Sequence, residues 1–249
     1  MNPPALEVAA LSYAYPDGTP ALCDVSFTIE AGERVAVLGG NGAGKTTLVL
    51  HLNGVLGGGP GEVRVGGLRV EKVNLRECRR RVGIVFQDPD DQLFMPTVTQ
   101  DVAFGPANAG LSDDELAHAV DDALRAVGMA HVGDRAPHHL SFGQRRRVAV
   151  ATVLATQPQV LVLDEPTSNL DPASRRELSA VIRSLDLTTV IVTHDLPYAL
   201  ELCPRSLILN DGTIAADGPT GDLLTDVDLM RANRLELPFG FDAQRLRCS

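Results

Sequence analysis

The amino-acid sequence predicts an α/β fold, and two patterns carry that expectation. Short, nearly continuous apolar runs such as "RVAVLGG", "QVLVLDEP" and "TTVIVTHD" read as strands covered on both faces, because such strands lose the alternation of half-exposed ones. Between them lie segments with helical spacing and capping signals. At 249 residues the chain is long enough for one large domain with a well-buried interior. The expected architecture is a sheet core with an antiparallel β subdomain and a small helical subdomain. The domain spans residues 5–240, with the helical part at about 97–156 and a C-terminal tail at 241–249.

The elements follow in order. "ALEVAALSYAY" and "CDVSFTIE" partly alternate apolar and polar residues around the turn-rich "PDGTP", the pattern of paired strands. "RVAVLGG" runs into a glycine loop, "GEVRVGG" is a strand near a tight turn, and "VGIVFQ" is a buried strand. In "SDDELAHAVDDALRAVG", Ser112 and Glu115 form a capping box and Gly128 stops the helix. "SFGQRRRVAVATVLA" and "SRRELSAVIRSL" are helices. "RSLILNDGTIAADG" is a hairpin with Asp211-Gly212 at its turn. "DLMRANRLELPFGFDAQRLRCS" is a short helix and an irregular tail.

Composition removes several function classes. A net charge of −10 opposes broad binding to nucleic acid, whose phosphates would repel the chain. Arg79-Arg80-Arg81 and Arg145-Arg146-Arg147 are local basic clusters, and the first reads as a solvated helix face. Cys23, Cys78, Cys203 and Cys248 show no C-x-x-C spacing, so neither a zinc site nor a redox dithiol is expected. Scattered cysteines suit a reducing compartment. "MNPPALEVAA" lacks the features of a signal peptide, and no apolar run is long enough to span a bilayer. A membrane role would therefore be peripheral.

The chemistry starts at "GGNGAGKTT", residues 39–47. Gly39, Gly44, Lys45 and Thr46 fill the pattern G-x-x-x-x-G-K-[ST] between a strand and a helix. The loop comprises Gly39, Gly40, Asn41, Gly42, Ala43 and Gly44, with Lys45, Thr46 and Thr47 opening the helix. Its backbone N–H groups and the helix N-terminus can surround phosphate oxygens. Lys45 can reach β- and γ-phosphates, and the Thr46 hydroxyl can ligate Mg²⁺. "VLVLDE" supplies a second requirement. Asp164 leaves a buried strand where it can hold Mg²⁺ through water, and Glu165 follows where it can polarise an attacking water. The combination predicts a P-loop NTPase (RecA-like) core that uses a nucleoside triphosphate and Mg²⁺.

"LSFGQ", residues 140–144, resembles the signature of ABC-type ATPases. Ser141 can cap the following helix and leave an anion-ready N-terminus. The resemblance implies that Ser141, Gly143 and Gln144 close over ATP bound by a second subunit. It extends in order over residues 5–220. Tyr15 matches the aromatic that stacks on adenine, Gln87 the glutamine that senses Mg²⁺ and the γ-phosphate, "SNLD" the loop that crosses the dimer, and His194 the switch histidine. The implied mechanism places two ATPs between two head-to-tail domains, a homodimer or a heterodimer, with Glu165, His194 and Gln87 as the catalytic set.

"QDPDDQLF", "LSFGQRRRVAVA" and "NRLELPFGF" are similar to energy-coupling-factor importers of the cobalt and nickel type. That resemblance implies a membrane scaffold subunit and a substrate-capture membrane subunit as partners at the cytoplasmic face of the membrane. Arginines of the scaffold would pair with Asp88, Asp90 or Asp91; a solvated acidic loop is the plainer reading. Cobalt, nickel and vitamins all stay open as cargo. A conventional ABC transporter ATPase is the alternative. A DNA-repair or translation-type ATPase would need long coiled coils or two ATPase domains, neither of which the sequence shows. His138-His139 lacks further ligands at metal spacing and reads as a solvent or helix-entry pair.

Overall fold

The computed structural model describes residues 3–240. The tail 241–249, with Cys248 and the end of "LPFGF", lies outside the described residues. The chain begins with strands β1 (Leu6–Ala14), β2 (Pro20–Ile29) and β3 (Arg34–Leu38), then helix α1 (Lys45–Leu52). β4 (Glu62–Val65), β5 (Leu68–Arg69), α2 (Leu75–Arg81) and β6 (Val82–Val85) follow. Three helices come next: α3 (Val98–Ala109), α4 (Asp113–Ala126) and α5 (Phe142–Leu154). The chain returns to β7 (Val160–Asp164), α6 (Pro172–Ser184), β8 (Thr188–Thr193) and α7 (Leu196–Leu202). It continues with β9 (Arg205–Asn210), β10 (Thr213–Pro219), α8 (Thr220–Thr225) and α9 (Val227–Ala232).

Two sheets form. The larger has the order β10-β9-β3-β8-β7-β6, parallel except for β10. The smaller is antiparallel, β2-β1-β4-β5. The two-residue period of a strand explains how the large sheet joins two apolar layers. Ala36, Leu38, Leu161, Leu163 and Ile191 face the layer built with α3–α7. Val35, Val37, Val160, Val162, Val190 and Val192 face the layer shared with α1 and the smaller sheet. Each fully buried Leu or Val on these strands contributes about 1.5–3 kcal/mol relative to exposure.

Local signals set the boundaries. Thr97 and Gln100 form a reciprocal cap at the start of α3, with Gln100 N–H donating to Thr97 Oγ1 at 3.3 Å and Thr97 N–H to Gln100 Oε1 at 3.1 Å. Ser112 donates to Glu115 Oε2 through its N–H at 3.0 Å and its hydroxyl at 2.7 Å. The β9–β10 turn has Asp211 at φ 46° and Gly212 at φ 76°, the left-handed pair that a two-residue hairpin needs. α7 was not anticipated, and α2 only as the helix face carrying Arg79–Arg81. Each has only seven residues, and α2 buries Cys78 alone, too little periodicity to register. The Arg79–Arg81 cluster lies on α2 with Arg79 and Arg80 exposed, as expected, and Arg81 half-buried. Arg79 donates to the carbonyls of Asn53 and Gly54, while Arg80 and Arg81 grip Glu77.

Candidate nucleotide site

The phosphate loop leaves β3 at its C-terminal end and enters α1 at Lys45, the crevice where open parallel sheets place ligands. Two of its glycines are required by geometry. A Cβ at Gly39 would collide with the carbonyl of Leu209, and Gly44 sits at φ 101°. A cleft of about 360 Å³ is lined by Tyr15, the 41–47 loop and helix start, Gln87, Asp164 and Glu165. Lys45 Nζ folds back to the carbonyls of Gly39 at 2.8 Å and Gly40 at 2.9 Å. Burial pulls its ammonium below the ordinary value, opposed by Glu165 and Asp164. Tyr15 is held at the rim by a hydroxyl contact of 2.9 Å to Thr47 Oγ1.

The carboxylates come from β7. Asp164 ends the strand, and burial together with the neighbouring Glu165 pushes its carboxyl up to about 6. Glu165 N–H continues the ladder to Val192 O at 2.8 Å, and Glu165 takes a positive φ of 44°. That turn aims its side chain at the end of β8. There Oε1 accepts from His194 N–H at 3.1 Å and from the ring Nδ1 at 2.8 Å, while Oε2 accepts from the Thr193 hydroxyl at 3.0 Å.

Ser141, Gly143 and Gln144 do not line this cleft. They stand at the start of α5, where Gln144 N–H donates to Ser141 Oγ at 3.2 Å and Ser141 N–H to Gln144 Oε1 at 2.9 Å. Ser141 is exposed; Gly143 is buried, and a Cβ there would collide with Ser174 of α6. Asp171, the last residue of "SNLD", caps α6 through Ala173 N–H and Ser174 N–H.

A family model described as ABC transporter matches residues 22–168. The chain is 70% identical over 247 residues to a putative ABC transporter ATP-binding protein of Streptomyces coelicolor, covering 99% of this chain and 95% of the relative. The chain belongs to the ABC transporter family. Another relative is the energy-coupling factor transporter ATP-binding protein EcfA of Methanothermobacter thermautotrophicus, 48% identical, covering 94% of this chain and 76% of that one. A solved structure of cbiO1 from Clostridium perfringens, described as part of the ABC transporter complex cbiONQ, is similar at a TM-score of 0.83 and 38% identity. The match covers 95% of this chain and 96% of that one. This ABC chain is an ATP-binding, ATP-hydrolysing transporter component. Among the described residues no helix is long and apolar enough to cross a membrane.

Two residues around the ABC site were given no role there from sequence. Arg146 is fully buried and donates from Nη1 to Phe86 O at 2.8 Å, and Gln92 joins Phe86 N–H to Ala149 O and Thr152 Oγ1. They fasten the segment around Gln87 to α5. A signal for Arg146 existed: it falls on the same helical face as Gly143 and Val150. The acidic segment differs from expectation in one respect. Asp90 already pairs with Arg145 at 2.9 Å, and Asp88 Oδ1 accepts from Asp90 N–H at 3.0 Å. His138 and His139 form an exposed turn with edge-packed rings, and no metal cluster is found among the described residues.

Proposed function

We propose that this chain is the ATPase of an energy-coupling-factor import complex. It works as a dimer at the cytoplasmic face of the membrane and powers uptake of cobalt, nickel or a vitamin through a scaffold and a substrate-capture subunit. The residue assignments and domain limits belong to the same proposal: an ABC ATPase domain at 5–240 with a helical subdomain at about 97–156. The carrying observation is the division of the site. Phosphate loop, Asp164, Glu165 and Gln87 share one cleft, whereas the capped end of α5 does not reach it. A head-to-tail second chain would complete it. The likenesses to EcfA and to cbiO1 favour the coupling-factor type.

The donor set suits Mg²⁺. Thr46, Gln87 and Asp164 offer oxygen ligands, and the raised Asp164 carboxyl marks negative charge that a divalent cation would relieve. When bound, Mg²⁺ supplies charge neutralisation at the β- and γ-phosphate oxygens. The chain's own groups do the rest. Lys45 exchanges its two loop carbonyls for phosphate oxygens. The 41–47 backbone cradles the anion, and Tyr15 stacks on adenine. Glu165 polarises the attacking water, and His194 turns toward the γ-phosphate. The partner's α5 end covers that phosphate from the opposite side, so binding closes the dimer and hydrolysis reopens it.

Glu165→Gln tests the chemistry. It should bind MgATP with near-normal affinity, hydrolyse it very slowly and accumulate as a closed dimer on gel filtration. Near-normal turnover would remove Glu165 from the role. A pull-down of the full chain from native membranes tests the transporter class. A scaffold accompanied by a small substrate-capture protein is expected; a conventional permease in their place would overturn the coupling-factor assignment.

A further inference from the structure

We propose that Thr193 is a positioning residue for hydrolysis: its hydroxyl anchors the Glu165 carboxylate while the His194 ring comes and goes. The inference rests on the assignment of Glu165 to water activation.

Hydrogen accounting fixes the direction of the contact. Thr193 is fully buried at the end of β8. Its Oγ1 accepts from Asp195 N–H at 3.0 Å and lies 3.0 Å from Glu165 Oε2. A hydroxyl has one proton to give. With Asp195 N–H supplying its own, that proton goes to the carboxylate. Oε2 is therefore held chiefly by a donor fixed within the sheet, with a longer second contact of 3.4 Å from His194 N–H. Thr193 pairs with Leu38 at the end of β3, directly before the phosphate loop, so the anchor shares its rigid base with the phosphate cradle.

Oε1 is held differently. Beyond His194 N–H, its partner is the His194 ring, whose side chain is 64% exposed. Rotation of that ring toward a phosphate would free one lone pair of Oε1 for a water. The Thr193 hydroxyl would keep the carboxylate from following the ring. Without it, Glu165 could adopt other rotamers, and the fraction poised against water would fall. Lys45, Thr46 and Tyr15, the groups proposed to hold nucleotide, make no hydrogen bond to Thr193, so ground-state binding should be spared.

The test compares full-length Thr193→Val, Thr193→Ser and Glu165→Gln for MgATP affinity, steady-state kcat and KM, and melting temperature. Thr193→Val keeps shape without the donor. It should lower kcat about 10- to 100-fold, the range for a lost hydrogen bond to a charged group, with KM and nucleotide affinity within about 2-fold of the parent. Thr193→Ser restores the hydroxyl and should recover most of kcat. Equal losses in Val and Ser, or a parental kcat in Val, overturn the proposal. If Val fails to fold, Thr193→Cys gives the same test, because its thiol is a far weaker donor; parental kcat in Cys would also overturn it. Normal turnover by Glu165→Gln would instead overturn the assignment of Glu165, so the two failures are distinguishable.

Discussion

At the residue scale, ionised Asp164 carries a cost that a bound cation would relieve. Its carboxyl is pushed from 3.8 to about 6, first by burial and then by Glu165 alongside, against the pull of Lys45 and Arg146. The folded chain thus holds this proton more tightly than the unfolded chain does. The group's contribution to stability is intact below pH 3.8 and is lost as pH rises through 6. Asp164→Asn removes that loss. Without nucleotide or Mg²⁺, the variant should melt higher than the parent at pH 8, by about 2–4 °C for each kcal/mol relieved. The gain should shrink on going to pH 5. Thermal melts across that range check this, and a pH-independent gain would show that ionisation is not its source. The same variant should lose MgATP-dependent stabilisation, because a hard oxygen ligand has been replaced by a neutral amide.

Element boundaries explain which parts of the molecule were legible in sequence. The continuous apolar strands β3, β7 and β8 announced a sheet covered on both faces. The motifs at the C-terminal ends of β3 and β7 line one cleft, and His194 after β8 does not line it but meets it through Glu165. Caps at Ser112 and Ser141 were equally visible, because a side chain must satisfy helix-end N–H groups that lack internal partners. What was not legible depends on contacts distant in sequence. Arg145 looked like one charge among three, yet it meets Asp90 across 55 positions. Thr193 reads as an ordinary strand threonine until Glu165 turns back toward it. The exposed end of α5 also supports a prediction. Ser141→Arg places bulk and a long cation at a helix N-terminus, without touching the cleft of its own chain. Nucleotide binding by the single subunit should persist, while ATP-dependent dimerisation is blocked. Lys45→Ala should do the reverse at the first step and abolish nucleotide binding. Equilibrium binding and light scattering separate them, and loss of subunit binding in Ser141→Arg would count against a site shared between chains.

Across the whole molecule, the segment after Gln87 joins the nucleotide cleft to an outer surface. β6 delivers Gln87 to the cleft, and the next residues pass over α5, tied there by Arg146 and Gln92. They then border a second cleft of about 310 Å³ lined by Asp90, Leu93, Phe94, Met95, Pro137, His138 and Arg145, with Phe94 62% exposed. Its apolar surface, beside the exposed carboxylates of the 88–91 segment, would suit the arginine-bearing scaffold helix of the proposed complex. The three aspartates should not contribute equally. Asp88 spends one oxygen on a turn, a task that Asn can also perform, and Asp90 is shared with Arg145. Asp91 is exposed and makes no ion pair among the described residues. Single exposed pairs contribute only about 0.2–1 kcal/mol, so Asp90→Asn should be close to silent and Asp91→Asn weakly damaging. The triple Asn variant should lower scaffold co-purification and substrate uptake together. Its ATPase activity as a soluble protein should persist, since the phosphate loop and Glu165 are untouched. Complex yield and uptake at parental levels in the triple variant would place the scaffold elsewhere on the molecule. A loss confined to Asp90→Asn would mean that the Arg145 pair, rather than a free acidic surface, holds the docking site in shape.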